Sequence, residues 1–250
     1  MAVNKILVEI CADSIDSALA AQQGGAGRVE VCQHLAEGGT TPSFAMVEAA
    51  RRLLDIKLFV LIRPRGGDFL YNDSEFSQMQ MDIHCCGKMG CHGVVIGMLH
   101  ADGSIDVRRC AILAAIARQY KMQITFHRAF DRCRDLREGL EAIIDLGCER
   151  VLTSGGYPTA PEGIAVLRQL VVQADERIIV MPGSGITPEN AAELIKNTGA
   201  KEIHGSFRSA YPSAMTHSTS HFKEDLLPRW RTDAEKVKKV IIKTKIDEDR

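Results

Sequence analysis

The chain of 250 residues is 45% hydrophobic and has a formal net charge of -1, with 31 basic and 32 acidic side chains. This length suits one large α/β barrel or two small domains. The near-neutral charge offers no field to attract nucleic acid or an anionic membrane, and no apolar run reaches the length of a membrane span. We therefore expect neither nucleic acid nor a membrane among its partners.

Short apolar runs alternate with longer helical patterns eight times along the chain. The predicted strands are Ile6–Cys11, Arg28–Cys32, Leu58–Arg63, Gly93–Gly97, Gln123–His127, Arg150–Ser154, Ile178–Met181 and Glu202–His204. Predicted helices lie near 15–24 (with a loop on to 45), 43–55, 74–89, 106–120, 135–147, 161–174, 188–198 and Asp233–Lys245. Strand–helix alternation predicts a parallel sheet, and eight repeats in this length predict a closed (β/α)₈ TIM barrel.

Three further patterns describe the domain count, a long loop and the state of the cysteines. No linker or shift in composition divides the chain, so a single TIM-barrel domain over 1–250 is expected. The last predicted strand is followed by a long loop, Phe207–Arg231, and loops of that length are usually lids or interface arms. The eight cysteines lack the spacing of a small disulfide-bonded scaffold, and the chain starts without the pattern of a signal peptide. Together these two patterns predict free thiols in a cytoplasmic protein.

The first two predicted strands share a Glu-x-Cys pattern, in which Glu9 and Cys11 correspond to Glu30 and Cys32. Because side chains alternate along a strand, each Glu and its Cys share one face. The outer face of a barrel packs on helices and is apolar, so the polar pairs are expected to point inward at matching heights. Two sulfurs on neighbouring strands, roughly 5 Å apart, could hold one small soft ion between them.

Other polar residues are expected at the same end of the barrel. By the same alternation Arg63 points inward, where it would serve as the counter-charge of the two glutamates, with Arg65 as a second candidate. The fifth strand ends at His127 and the eighth at His204. Buried polar groups cost free energy unless paired, so this set favours a functional site, although each cysteine alone fits ordinary packing.

Glycine-rich turns follow the last three predicted strands. Ser154 begins one of them, Gly183-Ser184-Gly185 another, and Gly205-Ser206 the third. Free backbone N–H groups at such turns bind anions, and barrels often hold phosphate after strands seven and eight. The cationic loop around Arg65 would also suit an anion. The alternative is that tight turns need glycine for conformational reasons alone.

A sulfur-rich helix precedes the fourth strand. Met81, Cys85 and Met89 are spaced four apart and are expected to form an outward stripe, within or beside the cluster His84–His92. This segment lacks the paired C-x₂-C spacing of a structural zinc site. A subunit contact explains it better than a soft metal site does, and both readings stay open.

Several motifs together resemble a known family. They are Val8-Glu-Ile-Cys11, Arg28-Val-Glu-Val-Cys32, Glu37-Gly-Gly-Thr-Thr-Pro-Ser43, Ile62-Arg-Pro-Arg-Gly-Gly-Asp-Phe69, Thr125-Phe-His-Arg-Ala-Phe-Asp131 and Arg150-Val-Leu-Thr-Ser-Gly155. In this order, from about Val8 to His204, they are similar to the CutC copper homeostasis family. The resemblance implies a (β/α)₈ barrel, cytosolic placement, a homo-oligomer (dimer or tetramer) and Cu(I) bound by cysteine. The motif cysteines correspond to Cys11 and Cys32.

Two functions remain open from the sequence. In the first, Cys11 and Cys32 bind Cu(I), a soft ion that prefers thiolates, and Arg63 lowers the thiol pKa values by its charge. In the second, the protein is an enzyme acting on a small anionic or phosphorylated substrate. Its catalytic residues would be Glu9, Glu30, Arg63 and His127. Its anion site would comprise Arg65, Ser154, Gly183, Ser184 and Gly185.

Overall fold

Eight parallel strands form the central sheet of the computed structural model, which describes residues 6–217 and 228–246. They are β1 Leu7–Ala12, β2 Arg28–Val31, β3 Lys57–Leu61, β4 Gly93–Ile96, β5 Gln123–Phe126, β6 Arg150–Thr153, β7 Ile179–Pro182 and β8 Glu202–Gly205. Each strand pairs with its neighbour in sequence, and β8 pairs with β1. A parallel bridge between Gly183 and His204 joins β7 to β8. The predicted (β/α)₈ TIM barrel is thereby confirmed.

Eight α-helices surround the strands. They are α1 Ile15–Gln23, α2 Phe44–Leu53, α3 Asp73–Lys88, α4 Val107–Gln119, α5 Leu136–Asp145, α6 Ile164–Ala174, α7 Ala191–Thr198 and α8 Ala234–Ile246. Local capping explains several starts. Asn72 and Glu75 form a reciprocal capping box at α3, and the Asp135 carboxylate accepts two backbone N–H groups at α5. Helix α7 begins three residues after the predicted start, because 188–190 form a turn.

The sheet has two chemically different faces. Val8, Ile10, Val29 and Val31 pack with the helices in the main core. The alternating positions lie inside the barrel, where Cys11 and Cys32 join Phe59, Leu61 and Val95 in a second, smaller cluster. Each outward valine or isoleucine contributes about 1.5–3 kcal/mol of burial free energy. The inside of the barrel therefore carries the polar chemistry, whereas the outside supplies most of the core.

The long segment predicted after β8 begins and ends in two short strands that the sequence did not predict. β9 Arg208–Tyr211 and β10 Arg229–Thr232 pair as an antiparallel hairpin. Arginine and aromatic side chains stack across it, Arg208 on Trp230 and Arg231 on Tyr211. Both strands are short and polar, which hides them from a search for apolar runs. Residues 218–227 of the predicted loop lie outside the described residues.

All eight cysteines are free thiols in the structure. Within 6–217 and 228–246, no helix combines the length and the apolar character needed to cross a membrane.

Candidate functional site

A pocket of about 650 Å³, here called the mouth pocket, opens at the carboxyl ends of the barrel strands. Its lining includes Cys11 and Glu30 from β1 and β2, together with His127 and His204 from the ends of β5 and β8. Arg63, Ser184 and Gly185 also line it. The barrel thus brings together side chains from positions far apart in the sequence, at the end where barrel enzymes and binding proteins keep their sites.

The two motif cysteines meet inside the barrel. The Sγ atoms of Cys11 and Cys32 lie 3.2 Å apart, and both side chains are buried. Their strands are nevertheless staggered: Cys11 pairs with Glu30, and Glu9 pairs with Arg28. The predicted matching heights are therefore wrong, because a closed barrel requires a shear between neighbouring strands. The thiols touch along the diagonal, and Glu30 is the carboxylate beside Cys11.

Cys11, Glu30 and His204 form a group whose candidate ligand atoms lie close together. One Cys sulfur, one carboxylate oxygen and one ring nitrogen all lie within 4.8 Å of one another. In the described part of the chain it is the one such group of three or more His, Cys, Asp or Glu residues. The hydrogen bond with Cys32 and then burial raise the pKa of Cys11 well above its usual range. Arg63 is not among the causes, so the predicted lowering of the Cys11 thiol pKa by Arg63 is wrong.

Glu9 is fully buried, and it is not among the residues that line the mouth pocket. Its carboxylate accepts hydrogen bonds from Arg28 Nε and from His204 Nδ1, the latter at 2.7 Å. Burial opposes ionisation, but Arg28 and then His204 outweigh it and lower the pKa of Glu9 to about 2. A permanently ionised carboxylate that is shielded from the pocket does not suit the predicted role of general base.

Arg28 is the counter-charge of Glu9, the role that the sequence predicted for Arg63. It is 1% exposed and bridges Glu9 to Glu202, whose Oε2 lies 2.5 Å from Arg28 Nη2. Arg150 approaches Glu202 at 3.3 Å, and the guanidinium groups of both arginines stack on the Phe59 ring. Gly93 makes room for that ring, because a Cβ there would lie 2.5 Å from it.

This charged network was missed although its signal is present in the sequence. Arg28 shares strand parity with Glu30, Arg150 with Leu152, and Glu202 with His204, so each points inward. Applying the alternation to the first residue of each strand would have found all three.

Arg63 is buried but lies apart from the glutamates. Its guanidinium donates to the backbone carbonyls of Glu37, Gly39 and Gly67, and it stacks on the Phe69 ring. Its role as counter-charge is therefore a wrong prediction, since the loops after β2 and β3 supply carbonyl oxygens closer to it than any carboxylate. Its Nε atom is buried and has no hydrogen-bond partner within the described residues.

His127 is buried at the wall of the mouth pocket. Its Nδ1 accepts a hydrogen bond of 3.1 Å from the Ala129 backbone N–H, which leaves the proton of the neutral ring on Nε2. Nε2 has no partner among the described residues. Burial and then the charge of Arg63 lower the pKa of His127 to about 3. His127 is thus a neutral hydrogen-bond donor.

The low pKa of His127 predicts a pH-dependent loss of stability. Below its ordinary value of 6.5 the unfolded chain takes up a proton that the folded protein refuses until about pH 3. The free energy of unfolding therefore falls by up to about 1.4 kcal/mol per pH unit as the pH drops through this window. His127→Asn keeps an acceptor for Ala129 and lacks the titrating ring. Urea unfolding should show a shallower acid-side slope for this variant, and parallel slopes would contradict the assignment.

Glu30 is the carboxylate that does line the mouth pocket. Burial, only partly opposed by His204, raises its pKa to about 8, and its Oε2 has no partner in the described residues. Of the four predicted catalytic residues, Glu30, Arg63 and His127 line the pocket, whereas Glu9 does not.

The predicted anion site is only partly assembled. Ser154 is occupied by an internal anion, because the Asp131 carboxylate accepts from the Ser154 backbone N–H and hydroxyl. Arg65 does not line the mouth pocket and forms ion pairs with Asp68 and Glu75 instead. Ser184 and Gly185 do line it, and Gly183 forms the bridge to β8.

The sulfur-rich helix carries only part of the predicted stripe. Met81 is 68% exposed and Cys85 is exposed, but Met89 is half-buried and packs on the core. The two flanking histidines have structural partners: His84 contacts the Tyr120 hydroxyl at 3.1 Å, and His92 accepts from the Leu58 N–H. One ring nitrogen of each histidine is thus already hydrogen-bonded to another part of the protein.

Comparison with known proteins identifies similar chains. The sequence profile of the CutC family matches residues 6–209. A family protein CutC from Vibrio vulnificus (strain CMCP6) is 49% identical over 216 residues, covering 86% of each chain. A human protein named copper homeostasis protein cutC homolog is 46% identical over 219 residues, covering 88% of this chain and 80% of its own. A crystal structure of CutC from Streptococcus agalactiae superposes on this chain with a TM-score of 0.77 at 34% identity. The match covers 80% of this chain and 98% of that one.

Proposed function

Because the chain belongs to the CutC family, we propose that it acts in copper homeostasis by binding Cu(I) through Cys11, which lines the mouth pocket, and Cys32, which is buried beside it. The observation that carries this proposal is the 3.2 Å contact between the two buried sulfurs, beside the group formed by Cys11, Glu30 and His204.

The donor set fits Cu(I). Thiolates are the ligands that soft Cu(I) prefers, and an imidazole is also suitable. His204 approaches the sulfurs from the opposite side of the β1 strand to Cys32, since β1 pairs with β8 on one edge and with β2 on the other. Glu30 adds a carboxylate oxygen without a partner among the described residues. The pair of thiols would supply the strong bonds, and His204 or Glu30 would complete the coordination.

Binding requires the thiols to lose protons. The pKa of Cys11 is raised, so at neutral pH this thiol is protonated before the metal arrives. Its Sγ atom lies 3.9 Å from Glu30 Oε1, and the pKa of Glu30, raised to about 8, keeps that carboxyl largely protonated at neutral pH, so the thiol proton must leave to solvent. Because Cu(I) competes with protons for the sulfurs, each thiolate formed releases one proton.

We expect the Cu(I) affinity to rise with pH, by up to about tenfold per pH unit for each proton released. The test is an anaerobic titration of the reduced protein against a competing Cu(I) chelator between about pH 6 and pH 8, the range in which thiol protonation limits binding. X-ray absorption of the loaded protein would identify sulfur ligands. One ion per chain with sulfur ligands is the supporting result. An affinity independent of pH, or nitrogen and oxygen ligands alone, would contradict the proposal.

A further inference from the structure

We propose that the mouth pocket also binds a small organic phosphate ester, with its phosphate at the β7 turn and its polar body against Arg63 and His127. The pocket volume of about 650 Å³ is typical of small-molecule sites and far exceeds the needs of a single metal ion. Copper binding at the cysteines therefore leaves most of this space unexplained, and the inference does not depend on copper.

The turn after β7 provides unused backbone donors. The N–H groups of Ser184, Gly185 and Ile186 have no acceptor within residues 6–217 and 228–246. All three residues line the pocket. Successive N–H groups of this kind suit an anion with several equivalent oxygens. The corresponding turn after β6 is already filled by Asp131, whereas the β7 turn is open to a ligand.

Two buried side chains independently indicate a polar ligand. Arg63 and His127 are each 4% exposed and line the pocket. Arg63 Nε and His127 Nε2 are buried without a partner among the described residues. Arg63 Nε is always a donor. His127 Nε2 is a donor too, because Nδ1 of the neutral ring already accepts the Ala129 N–H. An unpaired buried donor is costly, and hydroxyl or ester oxygens of a ligand would satisfy it.

The charge of the pocket suits an anion. Four arginines line it, Arg63, Arg128, Arg132 and Arg208, against two glutamates, Glu30 and Glu37. Arg132 is exposed, and no carboxylate or carbonyl of the described residues pairs with its guanidinium. A phosphate dianion entering the pocket would meet this guanidinium without displacing an existing ion pair.

The test is calorimetric binding of two probes, glycerol 3-phosphate and inorganic phosphate, to the copper-free reduced protein at constant ionic strength. We expect saturable binding of both, with the ester tighter. Arg132→Gln should weaken both by about fivefold to tenfold, as for one exposed charged contact in a pocket. Arg52→Gln, which removes an exposed arginine of α2 outside the pocket, is the matched control and should bind as the wild type does.

His127 provides the second comparison. His127→Asn keeps the acceptor for Ala129 but removes the Nε2 donor, whereas His127→Gln retains an N–H donor near the Nε2 position. We expect the Asn variant to bind the ester about tenfold more weakly, with a smaller loss for Gln and little change for inorganic phosphate.

Four results would overturn the inference. They are no binding of the ester at about 10 mM, well above a weak dissociation constant; equal affinity for the ester and inorganic phosphate; equal losses in Arg132→Gln and Arg52→Gln; and no loss in His127→Asn. Because the protein is copper-free, none of these results bears on the Cu(I) site.

Discussion

Replacing Cys11 and Cys32 together with serine is expected to lower the Cu(I) affinity by at least about 100-fold, equivalent to about 3 kcal/mol. Serine has nearly the same shape, so the buried pair should still pack among Phe59, Leu61 and Val95. A hydroxyl does not ionise at neutral pH and is a poor ligand for a soft ion. The loss therefore isolates the metal–sulfur bonds, as measured by chelator competition.

The matched control carries Cys85→Ser and Met81→Leu on the outer surface of α3. These residues offer exposed sulfur but no cluster with other ligands in the described part of the chain. We expect this variant to bind Cu(I) as the wild type does. If instead the surface variant loses affinity and the Cys11/Cys32 variant does not, copper binds at the sulfur-rich helix and the mouth site is wrong.

Replacing Arg28 with methionine is expected to destabilise the barrel by about 3–5 kcal/mol, the cost of removing one partner from a buried charge network. Glu9 is fully buried and loses its principal counter-charge, while Glu202 keeps only Arg150. Methionine is similar to arginine in length but carries no charge. The loss of stability therefore reports on the charge rather than on the side-chain volume. Urea unfolding at pH 7, followed by far-UV circular dichroism, measures it.

Two further variants make this test specific. Arg28→Lys retains the charge but cannot donate to both carboxylates in the same planar geometry, so an intermediate loss is expected. Arg177→Met removes an exposed arginine that pairs with Glu141 and should leave the stability nearly unchanged, because solvent screens this surface pair. An Arg28→Met protein whose stability lies within about 1 kcal/mol of the wild type would mean that Glu9 does not need Arg28.

The strands were predictable because each is a short apolar run. Its outward-facing residues must be apolar, since they pack against the helices. All eight predicted strands fall within one or two residues of the observed bounds. The hairpin of β9 and β10 was not predictable in this way, since its stability depends on stacking between arginine and aromatic side chains across the pair. Its sequence alone resembles a polar loop.

The candidate site was predictable in its composition and only partly in its contacts. Alternation along β1 and β2 correctly placed Glu9, Cys11, Glu30 and Cys32 inside the barrel. The same alternation along β3 correctly placed Arg63 inside the barrel. It did not predict which groups Arg63 contacts. Those are backbone carbonyls from two loops, and no side-chain pattern reveals where a loop carbonyl will lie.

The sequence by itself determined which residues face the inside of the barrel, because side-chain alternation is a local property of an extended strand. The tertiary structure decided which of them touch. The stagger between β1 and β2 sets Glu30 beside Cys11 and Arg28 beside Glu9, and the pairing of β8 with β1 brings His204 to Glu9. Both depend on the shear required to close the barrel, which is a property of all eight strands together and of none of them alone.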